Sequence, residues 1–201
     1  MSTSKKAATS RKKPAPRKPK AAPAVEEKPS PPAAGGKGNG ERFIVLLRHG
    51  IAEDASAEKK DEDRGLTSEG HARMKEIARG LANALPKAQV IYTSPLLRAV
   101  QTALWVSKGY KSRVAINTTD ALAPGATAKD FRAFIDSVAE RRVIIVGHEP
   151  NLTRSMAALT AVADARLELK KGGCYGVRIL GDGSGTLEWL LAPRVLRKLG
   201  E

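Results

Sequence analysis

Two uninterrupted apolar runs, each ending on a histidine, constrain the fold of this chain more than any other feature. Phe43-Ile44-Val45-Leu46-Leu47 leads into Arg48-His49-Gly50, and Val143-Ile144-Ile145-Val146 leads into Gly147-His148. A strand with one wet face alternates apolar and polar residues. A run without alternation predicts a strand buried on both faces, the habit of a parallel sheet covered by helices on each side.

Helical and extended patterns alternate between these two runs. Residues 49–66 are strongly charged and read as a solvated loop. Thr67 then caps a helix with Glu69 in its first turn and Met74, Ile77, Ala78, Leu81 and Leu85 at helical spacing, and Pro86 closes it. Val90-Ile91-Tyr92-Thr93 is a second strand. Ser94-Pro95 is expected to start a helix that turns Ala99, Ala103 and Val106 inward. Val114-Ala115-Ile116 is a short strand, and Pro124-Gly125 a turn before a helix carrying Phe131, Phe134, Ile135 and Val138. A helix from about Asn151 to Ala161 follows His148.

The last third differs. Residues 175–180 and 187–191 flank Gly181-Asp182-Gly183-Ser184-Gly185, a turn signal that favours an antiparallel hairpin. The expected fold class is therefore α/β: a three-layer sandwich with a mixed, mainly parallel sheet and helices on both faces. In such sheets ligands gather beyond the carboxyl ends of the strands.

Composition separates this domain from what precedes it. Residues 1–40 hold seven of the 12 prolines, and ten Lys and Arg against two Glu, so they carry +8 of the net charge of +14. They contain no aromatic, Leu or Ile to seed a core. We expect a disordered basic tail over residues 1–40 and a single domain over residues 41–201. The lone Cys174 excludes an internal disulfide and a multi-thiolate zinc site. No apolar run approaches the roughly 20 residues needed to span a bilayer, and the basic start lacks the apolar segment of a secretory signal. A cytoplasmic location is expected.

The chemistry concentrates at the strand ends. The chain has three histidines, and His49 and His148 both stand just beyond the buried runs, on one edge of the predicted sheet. Arg48 precedes His49, and Arg98 lies in the first turn of the helix after the second strand, whose backbone amides also suit an anion. Two guanidinium groups and two imidazoles on one edge match what a phosphoryl group needs: planar donors, neutralising charge and a nitrogen nucleophile. Paired histidines also bind metals, but arginines repel cations and cannot ligate them, so no metal or other cofactor is expected.

The stretches Leu46-Leu47-Arg48-His49-Gly50, Ser94-Pro95-Leu96-Leu97-Arg98-Ala99 with Gln101-Thr102-Ala103, and Gly147-His148 resemble the three signatures of the histidine phosphatase superfamily, in the family's order. The compact size, Ile51-Ala52-Glu53 and Leu122-Ala123-Pro124-Gly125 make the chain most similar to the SixA branch, whose members are associated with phosphohistidine. The resemblance implies the phosphoglycerate mutase-like fold. It also implies that His49 accepts the phosphoryl group, while Arg48, Arg98 and His148 hold its oxygens, with Gly50 letting the backbone pass close by. His49 must then be neutral, its second ring nitrogen donating a hydrogen bond, and the surrounding arginines lower its proton affinity.

The departures narrow the expectation. Mutases and many phosphatases of the superfamily continue the first motif with Glu-Thr or Glu-Ser and carry an acidic proton donor after the second arginine. Ile51-Ala52 and residues 120–125 do not reproduce these. Glu149, in Gly147-His148-Glu149-Pro150-Asn151, is similar to the acid of the superfamily's acid phosphatase branch, and it equally suits a cap on the helix beginning at Asn151. Glu53 is a second acid candidate, and Asn151 a candidate substrate contact. His71 reads as solvated on a polar helix face, Arg64 as a loop anchor, Cys174 as a buried small residue, and Trp105 and Trp189 as packing.

The expected function is dephosphorylation of phosphohistidine in a protein, or of a small phosphorylated molecule, through a phosphorylated His49. The rival is a non-catalytic anion-binding module. Under either reading Lys5-Lys6, Arg11-Lys12-Lys13 and Arg17-Lys18-Pro19-Lys20 suit nonspecific contact with a nucleic acid or another polyanion.

Overall fold

A computed structural model describes residues 40–162 and 167–201. The expectations for the tail fall on residues 1–39, outside the described residues. In chain order the elements are β1 (Arg42–Arg48), α1 (Ser68–Ala84), β2 (Val90–Thr93), α2 (Leu97–Gly109), β3 (Ala115–Thr118), α3 (Ala128–Ser137), β4 (Arg142–Gly147), α4 (Asn151–Thr160), β5 (Cys174–Ile179), β6 (Gly185–Leu191) and α5 (Pro193–Leu199). Short 3-10 turns occupy Asp61–Asp63 and Asp120–Leu122.

The six strands form one sheet in the order β3-β2-β4-β1-β5-β6. The first four are parallel, and β5 and β6 complete it antiparallel. This is the mixed α/β three-layer sandwich that the apolar runs predict. Alternate residues of each central strand serve opposite faces, which is why β1 and β4 show no polar alternation. Ile44, Leu46, Val143 and Ile145 meet Phe131 and Ile135 of α3 and Leu152 and Met156 of α4. Val45, Leu47, Ile144 and Val146 meet Met74, Ile77 and Leu81 of α1, Ala99, Ala103 and Val106 of α2, and Leu196 of α5.

Helix α5 has no counterpart in the sequence reading, although Pro193 at its first position is a standard start signal. Tertiary packing holds it in place. A Cβ at Gly80 of α1 would lie 1.7 Å from the Leu196 carbonyl oxygen, so the two helices cross only because that residue is glycine. Helix α2 begins two residues later than expected, because residues 94–96 form a turn in which Ser94 Oγ accepts from the Leu96 amide. The hairpin closes on Gly183, at φ +83°, a conformation glycine adopts without strain.

Candidate active site

Strand register assembles the site. Arg48 of β1 lies opposite Gly147 of β4, and the chain carries on in step, the His49 amide donating to the Gly147 carbonyl at 3.1 Å. His49 and His148 therefore emerge side by side, ring centroids 5.0 Å apart. On the other flank of β4, Thr93 of β2 pairs with Val146 and the Ser94 amide donates to the Val146 carbonyl. Ser94 Oγ accordingly sits 2.8 Å from His148 Nε2. Neighbouring strands lie about 4.8 Å apart, so three consecutive strand ends deliver these groups to one small area.

His49 is 7 % exposed and its Nδ1 lies 2.8 Å from the Gly50 carbonyl oxygen. A carbonyl only accepts, so Nδ1 carries the proton and Nε2 keeps its lone pair. Burial, ahead of every other cause, pushes the His49 pKa down to about 3. The Gly50 carbonyl opposes the shift, and the charges of Arg98 and Arg48, with that of His148 once it is protonated in acid, add to it. The arginines lower it as the sequence leads one to expect, and desolvation, which the sequence does not display, ranks ahead of them. His148, 5 % exposed, is pushed down to about 4, first by burial and then by Arg98. Both rings are neutral at physiological pH.

The arginines are held from different directions. Arg48 Nη1 donates to the Leu169 carbonyl at 2.7 Å, and residues 172 and 173, just before β5, hydrogen-bond the Arg48 backbone. Arg98 is 5 % exposed and grips Asp61, with Nη1 on its carbonyl at 2.7 Å and Nη2 on its carboxylate at 2.9 Å. Arg64 takes the other carboxylate oxygen and also the Glu53 carbonyl, so it anchors the loop and presents Asp61 to Arg98. Arg98 first, then Arg64, holds the Asp61 carboxyl below its ordinary range. Buried Arg48 Nε and His148 Nδ1 have no hydrogen-bond partner among the described residues.

Packing against α1 gives Gly50 its own reason to be glycine. Its amide donates to Thr102 Oγ1 at 3.0 Å, and a Cβ would stand 2.7 Å from Met74 Cγ. Glu149 is half-buried and its carboxylate accepts from the Thr153 amide at 3.2 Å, which is the helix-capping arrangement; burial raises its pKa and the Thr153 bonds oppose the rise. The Asn151 amide group donates to the carbonyls of Ala123 and Ala126, tying residues 123–126 to α4. The Glu53 carboxylate is paired with Lys59 and accepts from the Gly65 amide, while its carbonyl is held by Arg64.

Sequence reasoning missed Asp61, Ser94 and the turn at residues 169–173. No local pattern marks Asp61 among its charged neighbours. Ser94 stood inside a recognised signature, and only the β2–β4 register shows what its hydroxyl touches. His71 departs from the expected solvated state: its Nδ1 accepts from Trp105 Nε1 at 2.9 Å. Cys174 is fully buried in β5, and burial pushes its thiol pKa up.

Comparison with known proteins follows the same lines. The sequence profile of the histidine phosphatase superfamily (branch 1) matches residues 44–123, a stretch holding Arg48, His49 and Arg98. An uncharacterised protein of Picosynechococcus sp. is 33 % identical over 142 residues, covering 67 % of this chain and 84 % of that protein. The chain belongs to the histidine phosphatase superfamily. Among solved structures, the protein histidine phosphatase SixA complexed with tungstate superposes with a TM-score of 0.68 at 23 % identity, covering 77 % of this chain and 99 % of SixA. A mycobacterial glucosyl-3-phosphoglycerate phosphatase gives 0.57 at 16 % identity, covering 76 % and 100 %. Superfamily membership leaves the choice of substrate to the loops around this shared edge. No helix among the described residues is long and apolar enough to cross a membrane.

Proposed function

We propose that this protein is a phosphohydrolase that works through a phosphorylated His49, acting on phosphohistidine in a protein or on a small phosphorylated molecule. The observation that carries the reading is the buried, neutral His49 with Nδ1 committed to the Gly50 carbonyl and Nε2 free, beside His148 and two guanidinium groups.

In the first step Nε2 attacks phosphorus in line and the bond to the leaving group breaks, the leaving atom taking the electron pair. Arg48, Arg98 and His148 hold the phosphoryl oxygens, where charge develops. Their unused donors suit that role, Arg48 Nε among them. Glu149 supplies a proton to the leaving atom where one is needed, its raised pKa favouring the protonated form. In the second step water attacks the phosphorus of phospho-His49, the P–N bond breaks, and inorganic phosphate departs. Gly50 and Asn151 serve by position: Gly50 keeps His49 packed against α1, and Asn151 fixes residues 123–126 at the rim.

The SixA-like choice of substrate rests on the compact loops, the similarity to the SixA fold and the lability of a P–N bond, which needs little acid assistance. The test is turnover of a phosphohistidine peptide and of an aryl phosphate, with alkaline trapping of the intermediate. His49→Ala should abolish phosphate release and the alkali-stable phosphoryl label on the protein. Release that survives in His49→Ala would overturn the reading.

A further inference from the structure

The edge of the sheet opposite the site has its own character. Each of the four parallel strands is entered through a cationic loop: Arg42 opens β1, Lys87 precedes β2, Lys111 and Arg113 precede β3, and Arg141 and Arg142 open β4. Lys87, Arg113, Arg141 and Arg142 are exposed and form no ion pair among the described residues. Lys87, Arg141 and Arg142, together with Arg42, line a cleft of about 780 Å³ beside the starts of β1 and β4, in which Glu41 is the one carboxylate and is paired with Arg178; Arg113 lies outside that lining. Glu140 is the other acidic residue in these entry loops. Gln89 stiffens the cleft, its Oε1 accepting from the amides of both Arg141 and Arg142. Residues 1–40, with ten Lys and Arg against two Glu, join the domain here, Gly40 lying against the Arg141 guanidinium.

We infer that this pole is a docking surface for a nucleic acid, gripped through its phosphodiester backbone. Three interstrand steps carry the cations across roughly 14 Å, a width that faces about eight charges of a duplex. Guanidinium forks match phosphate oxygens better than isolated ammonium charges do. A lipid surface fits less well, because none of the exposed large hydrophobics (Leu97, Val162, Leu190, Val195 and Leu199) belongs to these loops. Strand β4 is six residues long, so the catalytic edge lies about 20 Å away and stays open while the opposite pole is bound. Phe43, the aromatic in the cleft lining, packs on Trp189, and the Tyr110 hydroxyl beside Lys111 donates to the Leu81 and Leu85 carbonyls, so both aromatics are engaged within the domain and the contact is sequence-independent and strongly salt-dependent.

The experiment uses the full chain and a labelled mixed-sequence 20-base-pair duplex, with affinity measured as a function of salt. Arg141→Glu/Arg142→Glu should weaken binding at least tenfold and lower the slope of log affinity against log salt by about 2, at about 0.9 per phosphate contact. Lys170→Glu/Lys171→Glu makes the same change of net charge at the catalytic edge and should weaken binding far less. Turnover of an aryl phosphate by the Arg141/Arg142 variant should match the unsubstituted protein. Equal loss in the two double variants, no loss in either, displacement of the duplex by inorganic phosphate at matched ionic strength, or binding to phosphatidylserine vesicles but not to the duplex would each overturn the inference.

Discussion

Acid should destabilise this protein through its two site histidines, by an amount the structure sets. As pH falls through the ordinary histidine value of about 6.5, the unfolded chain takes up a proton on each imidazole. The folded protein does not until pH nears about 3 for His49 and about 4 for His148. In that window the unfolded state binds more protons, so stability falls as pH falls. At pH 5 an unfolded imidazole is protonated roughly thirtyfold, worth about 2 kcal/mol each and about 4 kcal/mol for the pair. Both folded values lie below 5, so the size of the effect at pH 5 is fixed by the unfolded chain. His49→Asn keeps a donor for the Gly50 carbonyl and removes the titration. Urea unfolding at pH 7.5 and pH 5 should therefore show a pH-dependent loss about 2 kcal/mol smaller in the variant, roughly 1 M in midpoint at an ordinary slope. An identical loss in both proteins would mean that folded His49 takes up its proton as readily as a solvated imidazole, and the neutrality of the buried ring would be refuted.

The other predictions concern individual side chains. Glu149→Gln should slow turnover of an aryl phosphate ester by about 10²-fold and leave phosphohistidine turnover close to that of the unsubstituted enzyme; equal effects on both would reduce Glu149 to the cap it makes on Thr153. Gly50→Ala places a methyl group 2.7 Å from Met74 Cγ and should cost about 1–3 kcal/mol of stability, read by thermal or urea unfolding, and an unchanged midpoint would show that α1 yields. Asp61→Asn releases charge that competes for Arg98, so KM for a small phosphate ester should fall several-fold; a rise would make Asp61 an orienting residue for Arg98 instead.

How much was legible beforehand depends on the range of the interaction. The buried runs of β1 and β4, the Thr67 cap and the glycine-rich hairpin are local patterns, so their elements were readable. Arg48, His49, Arg98 and His148 were readable because each sits in, or just beyond, a strand or helix end whose position the pattern marks. The start of α2 was displaced by a local serine turn, and α5 was overlooked because a seven-residue helix depends on the groove that Gly80 leaves for it.

The amino-acid sequence by itself determined the layered α/β class, the buried strands, the basic character of residues 1–40, and the residue types gathered at the strand ends, since these follow from periodicity, composition and short signatures. Tertiary structure alone decided which atoms meet. Register between β1, β4 and β2 set His49 beside His148 and the Ser94 hydroxyl against His148 Nε2, and burial rather than the nearby arginines became the main reason that the two rings are neutral. Desolvation and strand register are properties of the assembled sheet, and Asp61 reaches Arg98 across 37 residues of chain only once that sheet and its loops are in place.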